Sequence, residues 1–120
     1  MSEKKQDINL REVMTSYSMS ANIVRTVLAP SGVLRITLND PVRRNSLSEK
    51  MLLELDEAIE HANVNHSVRV IILGAVGSVF CAGHDLKEIA AGWKASDRGR
   101  CYFQGVLSQC SRVMQKIVAC

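Results

Sequence analysis

The sequence predicts an α/β fold: a β-hairpin, then a β-α-β unit, then two helices. Three observations carry this reading. Two short segments rich in β-branched residues, Ile23–Leu28 and Val33–Leu38, flank Pro30-Ser31-Gly32. An amphipathic run occupies Ser48–Ala62. Beyond it, Val70-Ile71-Ile72-Leu73 is a continuous apolar run stopped by Gly74, the pattern of a strand buried on both faces of a parallel sheet.

The first two strands form an antiparallel hairpin, since proline fixes φ and glycine is free to take positive φ in the turn between them. Leu34, Ile36 and Leu38 fall on one face of the second strand. Asn39-Asp40-Pro41 breaks that strand, and Val42-Arg43-Arg44-Asn45-Ser46 follows as a polar connector with adjacent arginines. Either Ser46 or Ser48 can cap the next helix, and Ser46-x-x-Glu49 fits a capping box. Within that helix Met51, Leu52, Leu55, Ala58, Ile59 and Ala62 recur at helical spacing, leaving a solvated acidic face.

After the apolar strand comes a loop punctuated by Gly74, Gly77 and Gly83, and Asp85–Ala91 reads as a short helix ending near Gly92. Lys94–Arg100 is a polar linker. The last segment carries a stripe of Phe103, Val106, Leu107, Cys110, Val113, Met114, Ile117 and Val118, an amphipathic helix. The polar, weakly periodic stretch 1–21 reads as an amino-terminal arm with a possible short helix over Ile8–Tyr17, and 22–120 as the domain. A strand apolar on both faces wants neighbours on either side, and these elements supply only part of that cover. The fold is therefore expected to be incomplete, finished by another chain or by further sequence.

Composition excludes several classes. The 120 residues carry a net charge of +3 spread along the chain, with 4% aromatic residues and no basic block; nucleic-acid binding is not expected. No apolar run approaches the roughly 20 residues that span a bilayer. The four cysteines, at 81, 101, 110 and 120, form no C-x-x-C pair, and reduced thiols are the simplest state. Cys101 and Cys110 look like core positions. A zinc site on Cys81 and His84 lacks two further ligands at credible spacing, so no metal is expected. The arm has no long apolar segment, and its acidic residues make a poor mitochondrial presequence.

Chemistry concentrates in Cys81-Ala82-Gly83-His84-Asp85. A buried strand delivers this loop onto a helix start, where peptide N–H groups and the helix dipole can meet negative charge. The glycine spacing matches neither G-x-G-x-x-G nor G-x-x-x-x-G-K-[ST]. An ordinary βα turn explains the same residues on spacing alone.

Three stretches together carry a family resemblance: Leu38-Asn39-Asp40-Pro41-Val42-Arg43-Arg44-Asn45-Ser46-Leu47, Val68 through Gly74, and Phe80-Cys81-Ala82-Gly83-His84-Asp85-Leu86-Lys87-Glu88. In order and separation they resemble the amino-terminal part of the enoyl-CoA hydratase/isomerase (crotonase) superfamily, which implies an incomplete ClpP/crotonase-like fold. The resemblance implies that the backbone N–H of His84 forms half of an oxyanion hole for a thioester enolate. It implies that Ala82, Gly83, His84, Asp85, Leu86 and Lys87 line coenzyme A, and that Arg43 and Arg44 approach its phosphates. The partner implied is an acyl-CoA thioester of fatty acid metabolism, with no separate cofactor. Full-length members are expected as trimers or hexamers, in mitochondria by resemblance and otherwise in the cytoplasm. The second oxyanion donor and both catalytic glutamates of hydratases belong to positions beyond Cys120. The isolated chain is accordingly expected to be inactive, and the competing reading is a truncated, non-catalytic fragment that binds coenzyme A or modulates full-length subunits.

Overall fold

The structure, a computed structural model, describes residues 22–120. The arm 1–21 and its candidate helix Ile8–Tyr17 lie outside the described residues. The elements run β1 (Val24–Leu28), β2 (Val33–Leu38), a 3₁₀ turn (Pro41–Arg43), α1 (Glu49–Val64), β3 (Val70–Ala75), α2 (Leu86–Trp93) and α3 (Arg100–Ala119). The strands form one open sheet in the order β1-β2-β3. β1 and β2 pair antiparallel, with Val24 opposite Leu38, and β2 and β3 pair parallel, with Ile36 opposite Leu73. This is the predicted hairpin followed by the predicted β-α-β unit, and its openness fits an incomplete fold.

The core forms where α1 lies over the sheet. Ile36, Leu38, Met51, Leu52, Leu55 and Ile59 are all buried, with Val106 and Val113 of α3 joining them. Each fully buried aliphatic side chain here contributes about 1.5–3 kcal/mol relative to solvent. Between the two helices Lys116 Nζ lies 2.7 Å from Asp56 Oδ1 and 3.0 Å from Glu60 Oε2. Hydrogen bonds to those two carboxylates hold the Lys116 ammonium above its ordinary pKa.

Three local expectations need correction, and one open alternative is decided. β3 is covered on one face only: Ile71 and Leu73 pack against the core, whereas Val70 and Ile72 are 50% and 42% exposed. An apolar run does not say which of its faces has a covering helix, and among the described residues both α1 and the core lie on the same side. The buried stripe of α3 is narrower than predicted, being Val106, Cys110, Val113 and Ile117; Leu107, Met114 and Val118 face outward. Cys101 is exposed rather than in the core, while Cys110 is half-buried against it. Finally, the cap of α1 is Ser48, whose Oγ accepts from the Met51 N–H at 3.0 Å, and not the Ser46–Glu49 box. Ser46 is itself buried, with its Oγ unpartnered among the described residues.

Candidate functional site

Because β2 and β3 run parallel, both deliver their following segments to the same end of the sheet. From β2 comes the connector 39–47 and from β3 the loop 76–85. This is the carboxyl edge, where ligands bind in open α/β sheets. Three sets of hydrogen bonds clamp the two segments together. The Ala82 N–H donates to the Arg44 carbonyl at 3.0 Å, and the Leu47 N–H to the Gly83 carbonyl at 2.7 Å. Asn45 Nδ2 donates to the carbonyls of Val76 and Val79, each at 2.9 Å.

The geometry of the Gly83–His84 peptide follows from that clamp. A trans peptide points its C=O and N–H in opposite directions. With the Gly83 carbonyl tied to Leu47, the His84 N–H is aimed away from the connector, and no acceptor among the described residues takes it. Gly83 holds φ at +90°, where a side chain would be strained. An amide fixed in this way can meet an anionic oxygen without reorganising. The His84 ring is half-buried, and its Nδ1 has no partner among the described residues.

The remaining predicted residues gather on the same rim in distinct settings. Arg43 and Arg44 are exposed, and Arg44 closes the 3₁₀ turn in the left-handed region at φ 54°. The Arg43 guanidinium lies 4.0 Å from Asp85 Oδ2, with the arginine side chain 62% exposed. Such a pair is worth about 0–1 kcal/mol and leaves the guanidinium available to a phosphate. Asp85 caps α2, its Oδ1 accepting from the N–H groups of Lys87 at 2.9 Å and Glu88 at 3.3 Å. Leu86 and Lys87 are exposed beside it. Ala82 is exposed with its N–H engaged, and Cys81 is half-buried against the core. Among the described residues no group of three or more His, Cys, Asp or Glu side chains could hold a metal ion. No helix among them is long and apolar enough to cross a membrane.

Two residues important to this rim are missed by sequence reasoning. Asn45 is fully buried at φ 53°; the available signal was an asparagine after a proline turn, the residue type that best tolerates this backbone region after glycine. Glu88 reaches across to α1, accepting from the Glu49 N–H at 2.9 Å. No local motif reveals that bond, because the partners are 39 residues apart. Behind α2, burial raises the pKa of the Tyr102 phenol, with the charges of Glu88, Glu49 and Asp85 adding to the effect. A separate groove of about 560 Å³, lined by Ile59, Ile71, Leu73 and Ile117 together with the polar His66 and Arg69, opens beside the core.

Comparison with known proteins gives concordant results. The sequence profile described as enoyl-CoA hydratase/isomerase matches residues 29–119. The human mitochondrial enoyl-CoA hydratase domain-containing protein 3 is 41% identical over 86 residues, covering 72% of this chain and 27% of that protein. Its crystal structure superposes with a TM-score of 0.68 at 36% identity, over 78% of this chain and 35% of that one. An enoyl-CoA hydratase structure from Mycobacterium smegmatis gives a TM-score of 0.73 at 40% identity, over 80% and 35% of the two chains. The chain thus spans about a quarter of the length of the curated relatives it matches.

Proposed function

The chain belongs to the enoyl-CoA hydratase/isomerase family, and from that membership we propose that it is an acyl-CoA-binding unit that holds the thioester without turning it over. Arg43 and Arg44 take the phosphates of the nucleotide, where guanidinium forks suit phosphate oxygens. The segment Ala82–Lys87 lines the rest of coenzyme A, and the His84 N–H donates to the thioester carbonyl. The observation that carries this reading is the His84 amide, without an acceptor among the described residues and directed by the Leu47–Gly83 bond, on the same rim as both arginines.

Binding is preferred to catalysis on chemical grounds. Hydration needs a carboxylate to activate water and an acid to protonate carbon. The carboxylates nearest the His84 amide in sequence are engaged as caps, Asp85 on α2 and Glu88 on the start of α1. The relatives' names place them in mitochondria, which supports a mitochondrial setting for this chain.

Calorimetric titration with butyryl-CoA tests the proposal. Binding is expected, with a tenfold or greater loss when Arg43 and Arg44 are both changed to Gln and a steep weakening with salt. Crotonyl-CoA is expected to remain unhydrated by the purified chain. Absence of binding by the folded chain overturns the proposal, and measurable hydration overturns its non-catalytic part.

A further inference from the structure

We infer that Asn45 is the positioning residue of this site, setting both the nucleotide-binding arginines and the His84 amide from one buried side chain. The inference rests on the acyl-CoA reading above and extends it to a residue that touches no ligand. Asn45 is completely buried, and every polar atom of its side chain is used: Nδ2 donates to the Val76 and Val79 carbonyls, and Oδ1 accepts from the Asp40 N–H at 2.8 Å. Its own N–H donates to the Asp40 carbonyl at 2.9 Å. One amide therefore closes the connector on itself and ties it to the loop that follows β3.

The consequences reach both halves of the site. Arg44 and Asn45 are consecutive residues at positive φ, 54° and 53°, a sharp bend that reverses the connector. That bend brings the Arg44 carbonyl to Ala82 and the Leu47 N–H to Gly83. Without the two donor bonds to the 76–79 segment, the bend keeps only the Ala82–Arg44 and Leu47–Gly83 backbone bonds to the loop among the described residues, and no side chain to set them. The arginines then lose their fixed separation from the His84 amide, and that separation is what lets one ligand engage both. Neither hydroxyl nor aliphatic side chains can replace Asn45, since the position needs two donors and one acceptor at once.

Asn45→Asp isolates the two donor bonds, because it keeps the size, the tolerance of positive φ and the acceptor facing Asp40. The experiment measures coenzyme A and adenosine 3′,5′-bisphosphate affinity for wild type, Asn45→Asp, the Arg43→Gln/Arg44→Gln pair and their combination. Asn45→Asp is expected to weaken both ligands at least tenfold while the amide signals of Ile36, Met51 and Leu52 stay in place. The combined variant is expected to lose less than the product of the separate losses, since Asn45 acts through the arginines. Full affinity in Asn45→Asp, or losses that simply multiply, overturns the inference while leaving the acyl-CoA reading intact. Should Asn45→Asp fail to fold, Asn45→Gly keeps the backbone and is judged by the same criteria. If wild type takes up neither ligand, the acyl-CoA reading falls. Hydrogen exchange at Leu47 and Ala82 then decides the positioning role: faster exchange in the variant with an unchanged core upholds it, and unchanged exchange overturns it.

Discussion

The Leu47 N–H donates to the Gly83 carbonyl at 2.7 Å, and this bond sets the direction of the His84 amide. It joins the two segments leaving adjacent parallel strands, so the strand register of β2 and β3 is transmitted to the rim. The site is thus a property of topology as well as of its residues: neither segment presents the amide alone.

Gly83→Ala tests that dependence. No atom lies within 4 Å of where the new Cβ would stand, so the whole penalty comes from φ at +90°. A left-handed backbone at a non-glycine residue costs about 1–2 kcal/mol. Chemical denaturation is expected to show a loss of that size, together with weaker coenzyme A binding. Gly74 provides the control, since it has open space and ordinary φ. Gly74→Ala is expected to leave stability unchanged or raise it by up to about 1 kcal/mol.

Glu88 links α2 to α1 through the Glu49 N–H. Glu88→Ala removes an acceptor from an exposed helix start, an effect of about 1 kcal/mol for comparable caps. Glu88→Gln retains a carbonyl oxygen and is expected to recover most of the difference in melting experiments. Equal loss in both variants would show that the charge rather than the hydrogen bond matters.

What the sequence disclosed, and what it hid, follows from the range of the interactions. The hairpin and α1 were legible because Leu34, Ile36 and Leu38 alternate, while Met51, Leu55, Ile59 and Ala62 recur once per turn; both are local periodicities. The rim residues were legible through the resemblance carried by 38–47 and 80–88. The Glu88–Glu49 and Asn45–Val79 bonds were not, because they join positions 39 and 34 residues apart. Ser48 displaced Ser46 as the cap for the same reason: the connector is held by Asn45 and Leu47, which buries Ser46 before the helix begins.

Asp97 and Cys101 offer a test by reactivity and by pH. The Asp97 carboxylate accepts from the N–H groups of Cys101 at 3.1 Å and Gly99 at 3.0 Å. The Cys101 backbone bond is the largest influence lowering the Asp97 pKa, and the Asp97 carboxylate in turn raises the pKa of the Cys101 thiol. A lowered carboxylate contributes stability that is present above its unfolded value of about 4 and lost as pH falls through the folded value. Fraying of the first turn of α3, followed by amide exchange, is expected on acidification below that range. At pH 8 the exposed Cys101 is expected to react more slowly with iodoacetamide than an ordinary exposed thiol, because less thiolate is present. Asp97→Asn is expected to accelerate it.

The bare side of β3 predicts how the chain behaves as concentration rises. Its outer edge has no strand partner among the described residues, and Val70 and Ile72 stand exposed on the face that no helix covers. Apolar edge strands without charges, prolines or bulges pair readily with other strands. Sedimentation is expected to show self-association of the 120-residue chain, accompanied by a melting transition that shifts with concentration. Ile72→Lys places a charge on the exposed face, where a lysine can extend into water, and is expected to suppress association with little loss of stability. Leu73→Lys directs the same charge into the core that Leu73 packs against and is expected to unfold the chain. A wild-type chain that stays monomeric, with a concentration-independent transition, would show that the edge is protected by something other than pairing.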